Sequence, residues 1–371
     1  MASIKLVYGS TTETCWSSTG KITTPSLILN DNGTIRYTPL FSGNAGETVT
    51  SGDYRYTLGH LKVGDLRTVI GCEEVINIYV FSSSNTTWIL TSKGELYGCG
   101  HNGFGQQGSG DTSNVLVFTK RASNVKDAIC SSRTTWYIDN NNNLYGCGYN
   151  SYGQQGSGGT TDVKTFTKRA ENVKEVKCSD NTTWYIDNNN NLYGCGRNYY
   201  GNQGSGDTSN VLVFTKRASN VKEVSSAGNT TWYIDNNNNL YGCGRNGFGQ
   251  QGSGDTSNVL VFTKRAENVK EVKCSDNTTW YIDNNNNLYG CGGNSFGQQG
   301  SGGTTDVKTF TKRASNVKDA ICENYMTWYI DNNNLYGCGD NGFGQQGSGD
   351  TSNVLVFTKR KERIIKLNNY D

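Results

Sequence analysis

The chain has 371 residues, of which only 34% are apolar, with 47 Gly, 2 Pro, 22 Tyr and 7 Trp. That composition excludes a large aliphatic core, and a net charge of +2, from 34 Lys and Arg against 32 Asp and Glu, excludes the one-sign field of a nucleic-acid-binding protein. The sequence has no run of 18 apolar residues and no apolar stretch behind Met1-Ala2-Ser3-Ile4-Lys5, so neither a membrane span nor a secretory leader is expected, and synthesis in the cytoplasm is.

In chain order, residues 1–21 match no repeat and are expected either to add an outer strand or to tether the chain to a larger assembly. Residues 22–74 read as a degenerate first unit. Within them Leu27-Ile-Leu-Asn-Asp-Asn-Gly-Thr-Ile-Arg-Tyr37 aligns with Trp88-Ile-Leu-Thr-Ser-Lys-Gly-Glu-Leu-Tyr97 if one residue is inserted. Residues 75–360 hold six regular copies, because Trp88, Trp136, Trp184, Trp232, Trp280 and Trp328 each stand 48 residues from the next. A repeat of that length built from short strands predicts one blade of a β-propeller per copy.

The copy over residues 125–169 shows the pattern. Val125–Cys130 is strand A, Thr134–Asp139 strand B, Leu144–Gly148 strand C and Val163–Lys168 strand D. Asn140 to Asn143 form the tight B–C turn, since Asn tolerates positive φ. Trp136 and Ile138 face one side of the sheet and Tyr137 the other, as a blade covered on both faces requires. Residues 361–371 hold Ile364-Ile-Lys-Leu367, a strand A with no strand B after it. The expected fold is therefore all-β: a seven-bladed propeller of four-stranded antiparallel blades over residues 22–371, its ring closed by the C-terminal strand pairing with the first blade so that no edge is left open.

The run Leu144-Tyr-Gly-Cys-Gly-Tyr-Asn-Ser-Tyr-Gly-Gln-Gln-Gly-Ser-Gly158, preceded by Thr-Trp-Tyr-Ile-Asp, resembles the regulator of chromosome condensation repeat, whose family folds as a seven-bladed propeller. It recurs at Leu96, Leu192, Leu240, Leu288 and Leu335. This chain departs from the family pattern at Cys147, where Trp is usual, and at Gln155, where Leu is usual. It also has Arg133 or Asn where a His usually precedes strand B. The resemblance implies nucleotide exchange on a small GTPase as one candidate activity.

Threading a blade from A to D puts the A–B and C–D loops on one face and the B–C turn and D–A link on the other. Differences between copies concentrate on the first face. After strand C come His101, Tyr149, Arg197, Arg245, Gly293 and Asp340; two positions on, Tyr199 stands out; the A–B loops carry Arg133 and Tyr325. These are the candidate binding residues, on the ground that recognition sits on loops held by rigid strands. Neutral drift of exposed loops explains the same variation and stays open. Phe104, Tyr152, Tyr200, Phe248, Phe296 and Phe343 recur at one loop position and read as anchors tucked under the Gly turns. Lys-Arg pairs from 120–121 to 359–360 form a basic ring on the constant side. It reads as an edge device against strand pairing, or as a grip for phosphate or an acidic partner.

Chemical motifs are lacking. Gly98-Cys-Gly-His-Asn-Gly103 has the spacing of a dinucleotide loop but follows a meander strand with no helix behind it. Only His60 and His101 are present, outside any metal spacing, so neither catalysis, metal nor cofactor is expected. Strands A and C of one blade lie about 10 Å apart, too far for a disulfide, and the cysteines read as small buried thiols. Three functions fit. The first is a non-enzymatic module recognising a protein or cell-surface glycan, for which a phage tail or tail-like particle would be the setting. The others are a GTPase exchange or adaptor propeller and an enzyme-inhibiting propeller. Nucleic acid and membrane insertion are not expected.

Overall fold

The computed structural model of the protein describes the backbone of the strands between residues 3 and 57 and of Ile78, and residues 79–83, 85–323 and 325–362 in full. The chain divides into two units, residues 1–78 with 91–93, and residues 79–90 with 94–371.

In the first unit β1 (Ser3–Tyr8), β2 (Thr11–Ser17), β3 (Lys21–Leu29) and β4 (Ile35–Asn44) pair in chain order as one antiparallel sheet, and β5 (Thr48–Ser51) and β6 (Tyr54–Thr57) form a separate hairpin. Short links join β1 through β4, and strands joined that way pair with their neighbours in sequence. The sheet therefore runs across the boundary expected at residue 22, and the strands of the expected first blade are divided between it and the hairpin.

The second unit holds six four-stranded antiparallel blades. The first is β7 (Ile78–Ser83), β8 (Thr86–Thr91), β9 (Leu96–Gly100) and β10 (Val115–Ala122); the second is β11 (Val125–Cys130), β12 (Thr134–Asp139), β13 (Leu144–Gly148) and β14 (Val163–Ala170). Four more follow the same order over 173–218, 221–266, 269–314 and 317–362. Strand D outruns the expected Lys168 by two residues because Ala170 still pairs with Leu144 across a bulge. Seven blades were expected and the described residues hold six. The expected closing strand, from residue 363 onward, lies outside the described residues; Lys361 and Glu362 lengthen strand D of the last blade, opposite Leu335 and Asn334.

The core lies between blades. Trp136, Ile138 and Leu144 of the second blade pack with Val173, Val176 and Tyr185 of the third, and the same sextet recurs at the next seams. All six residues of β12 are buried, as the two-sided alternation requires. The large Trp is accommodated by a missing side chain: a Cβ on Gly146 would stand 2.4 Å from the Trp136 ring. Phe214, from strand D of the third blade, closes the seam edge-on, 5.9 Å from Trp136 and 4.9 Å from Tyr185. A single bridge between Ser157 and Val213 adds main-chain contact between the same two blades. Across the other face the B–C turn is tied to the D–A links: Val173 N donates to Asn142 O at 2.8 Å, with Asn142 at φ 61°. Among the described residues no helix is long and apolar enough to cross a membrane.

Candidate functional site

The C–D loop is built from buried amides. Asn150, fully buried, donates through Nδ2 to Ser157 Oγ at 2.9 Å and to Gly159 O and Thr161 O, both at 3.0 Å, while its Oδ1 accepts from Gln155 N at 2.8 Å. Gln155 donates onward to Cys147 O at 2.8 Å. The bond uses the main-chain carbonyl of Cys147, whose thiol donates instead to Gln106 O of the preceding blade at 3.3 Å. Gln154 accepts from Tyr152 N at 3.0 Å and donates to Asp180 O at 3.1 Å, fastening the C–D loop of one blade to the A–B loop of the next. Buried hydrogen bonds of this kind hold a loop rigid; of the three amides only Gln155 Oε1 has no partner among the described residues.

On that frame the candidate residues meet across the seams. His101 stands edge-on to Phe104 at 5.9 Å, and Phe104 to Tyr149 at 5.0 Å. The Arg133 guanidinium lies 5.4 Å from the Phe104 centroid and 5.3 Å from that of Tyr149. Tyr149 meets Tyr152 at 6.1 Å, and Arg197 lies over Tyr152, Tyr199 and Tyr200 at 5.5, 5.8 and 6.0 Å. Arg245 continues over Tyr200 at 5.6 Å and Phe248 at 5.1 Å. Six candidates, His101, Arg133, Tyr149, Arg197, Tyr199 and Arg245, therefore stand in one ladder of alternating cations and rings over four successive blades. Each such contact is worth about 0.5–1 kcal/mol where exposed and more where water is excluded.

Two candidates stand apart. Tyr325 packs on Phe296 at 4.8 Å, beyond the gap left by Gly293. The Asp340 carboxylate is occupied by its own loop, accepting from Gly342 N at 3.0 Å and Gln345 Nε2 at 2.9 Å. Four of the six recurrent loop aromatics, Phe104, Tyr152, Tyr200 and Phe248, are half-buried rungs of the ladder; Phe296 packs on Tyr325 instead, and Phe343 is 96% exposed. The Lys-Arg ring also divides. Lys120, Lys168, Lys264 and Lys359 pair with Glu95, Glu171, Glu267 and Glu362, while Arg121, Arg169, Arg217 and Arg265 fold inward, half-buried, with their guanidinium pKa lowered by burial.

The A–B face also opens on an axial cavity of about 750 Å³, lined by strand A residues of the six blades that include Lys177, Cys178, Glu223, Lys273 and Cys274. Burial pushes the Glu223 carboxyl up to about 7, helped by the charges of Glu271 and Glu175 and opposed by Lys273 and Lys177. The repeat carried the signal: acids stand at 127, 175, 223, 271 and 319, and Ser225 replaces the lysine present at 177 and 273. Among the described residues no group of His, Cys, Asp and Glu is placed to hold a metal. The ten described cysteines are free thiols.

Six antiparallel blades stacked through a Trp-Phe seam define a repeat propeller. The family model for the regulator of chromosome condensation (RCC1) repeat matches residues 269–298. The chain is an RCC1-like repeat propeller. Among solved structures it is similar to Prp20p from Saccharomyces cerevisiae, described for its binding to Gsp1p and histones. That similarity has a TM-score of 0.62 and 17% identity, covering 77% of each chain. It is also similar to human WBSCR16, with a TM-score of 0.61 and 15% identity, covering 78% of this chain and 82% of that one. Yeast RCC1 (Prp20) bound to Kap60 gives a TM-score of 0.61 at 17% identity, covering 78% and 76%. No curated protein matches the chain in sequence.

Proposed function

We propose that the protein is a non-catalytic binding module that takes a protein or cell-surface glycan on its A–B and C–D loop face. The observation that carries this reading is the ladder from His101 to Phe248. It gathers the positions at which the copies differ most, holds them on amide-braced loops, and presents aromatic and Arg side chains of the kind that dominate binding energy. The likeness to Prp20p, a propeller with protein partners, supports a binding role. Near-identical copies and abundant Asn and Tyr suit a phage tail or tail-like particle that docks on bacteria. A GTPase exchange or adaptor propeller is the second reading, favoured by the same fold likeness.

We further propose that a seventh blade completes the ring. Gly108, Gly156, Gly204, Gly252 and Gly300 each abut a Phe of the next blade, whereas Gly347 of the sixth has no neighbour within 4 Å among the described residues.

The test is retention by bacterial cells of the full chain and of a variant with Tyr149, Tyr199, Arg197 and Arg245 changed to Ala. Retention by the parent and its loss in the variant are expected; equal retention removes the face from the argument.

A further inference from the structure

The three arginines of the ladder lie over aromatic rings but are not neutralised. Arg133, Arg197 and Arg245 each lie over rings from two neighbouring blades, and none forms an ion pair among the described residues. Among the described residues their one side-chain hydrogen bond is long, Arg245 Nη1 to Asn277 Oδ1 at 3.5 Å. A guanidinium held over rings and without an ion pair keeps N–H donors for a planar anion, and carboxylate fits its fork in a bidentate manner. The surface therefore offers carboxylate sites in three consecutive seams, with Tyr149, Tyr152, Tyr199 and Tyr200 between them.

The surroundings decide which anion. Asp207 and Asp255 are exposed at the outer ends of the same loops, and Asp180 and Asp276 stand half-buried in the A–B loops on the inner side. These carboxylates offset the arginines, so the face is not the strongly basic patch that nucleic acid takes. The exposed aliphatic residues are Val80 on strand A and Leu116, Val117, Val213, Val261 and Val356 on strand D, whereas the exposed large ring of the ladder is Tyr199. Tyrosine faces and hydroxyls between guanidinium edges suit the C–H faces and hydroxyls of sugar rings. A surface that repeats one cation and its rings at each blade also matches a ligand that repeats one acid and its sugar.

We infer that the ladder binds an acidic polysaccharide of the uronate type, its carboxylates held by Arg133, Arg197 and Arg245 and its sugar rings laid on Tyr149, Tyr152, Tyr199 and Tyr200. This rests on the loop face being the binding face. The test is calorimetric titration of the full chain with polygalacturonate, hyaluronate and alginate oligosaccharides, with their carboxyl-reduced forms, and with poly-glutamate. At least one uronate polymer is expected to bind, with a loss of about tenfold or more on carboxyl reduction. Arg197→Gln loses about tenfold while the melting temperature falls by only a few degrees, and Arg197→Lys, which keeps the charge and loses the planar fork, loses several-fold.

Equal affinity for a reduced polymer overturns the inference, and so does poly-glutamate binding as tightly through the same arginines, which would mark an acidic protein partner. Absence of binding to all three uronate polymers overturns it too. In that case, cell retention that still depends on the four rim residues leaves the face standing without this ligand, whereas retention that survives their loss removes the face itself.

Discussion

Phe214 of the third blade packs edge-on against Trp136 of the second, ring centroids 5.9 Å apart and planes at 74°. The same Phe lies 4.9 Å from Tyr185 of its own blade, so one half-buried ring joins two sheets that share no strand. Five such contacts recur, from Trp88 with Phe166 to Trp280 with Phe357. With only 34% apolar residues, the chain concentrates its cohesion in these seams.

Phe214→Ala is expected to destabilise the propeller by about 2–3 kcal/mol, below the full cost of a buried Phe because the ring is half-exposed. Val213→Ala, next along the strand and 52% exposed, should change stability by less than about 0.5 kcal/mol. Urea midpoints of the two variants measure the contrast. Equal midpoints would mean that the seam is not where the stability resides.

A repeat legible in sequence told where strands begin and less about what faces what. The strand ranges of the second blade follow from alternation and the Asn turn, and they match the structure through A, B and C. The ladder rungs did not follow. A copy-to-copy comparison shows that position 104 and its equivalents keep an aromatic ring; it does not show that Arg133, from the next blade, lies over that ring, because the seam is a tertiary relationship between loops about 30 residues apart. Nor did the alignment of Leu27 with Trp88 reveal that β3 and β4 continue the sheet of β1 and β2, since pairing is set by the short links before them as well as by their own pattern.

Gly146 and Gly159 should respond oppositely to the same substitution. A Cβ at Gly146 would stand 2.4 Å from the Trp136 ring, so Gly146→Ala must displace a fully buried side chain, at a cost of about 1–3 kcal/mol or more. At Gly159 nothing lies within 4 Å and the residue does not need positive φ, so Gly159→Ala should be neutral or stabilising by up to about 1 kcal/mol. Thermal melts of both variants decide it, and a destabilised Gly159→Ala would contradict the loop geometry.

The strand C thiols should be silent in the folded protein. Cys147, Cys195, Cys243, Cys291 and Cys338 are buried, and burial pushes each thiol well above its ordinary pKa, against a smaller opposing pull from the arginine folded beside it. Since the thiolate is the nucleophile, iodoacetamide at pH 8 should leave these five unmodified in native buffer and alkylate them in urea. Peptide mapping by mass spectrometry reads the difference. Native modification of any of them at the rate of a free thiol would show that its seam opens.

Glu223 makes stability fall as the pH rises. Its folded pKa, raised to about 7 by burial and by Glu271 and Glu175, lies above the ordinary carboxylate value of about 4.3 that it regains on unfolding. The favourable difference is therefore fully present below about pH 4 and is lost progressively as the pH climbs through about 7, where the folded protein must accept a third carboxylate charge beside Lys177 and Lys273. The shift corresponds to at most about 4 kcal/mol, less what solvent screening takes from it. Glu223→Gln removes the ionisation and keeps the shape, so it should raise the urea midpoint at pH 8, leave it nearly unchanged at pH 4, and flatten the slope between. Glu223→Ser at pH 8 should also relieve the charge. If both variants instead keep the parent's pH slope, the carboxylates round the axis are not coupled and the titrating group lies elsewhere.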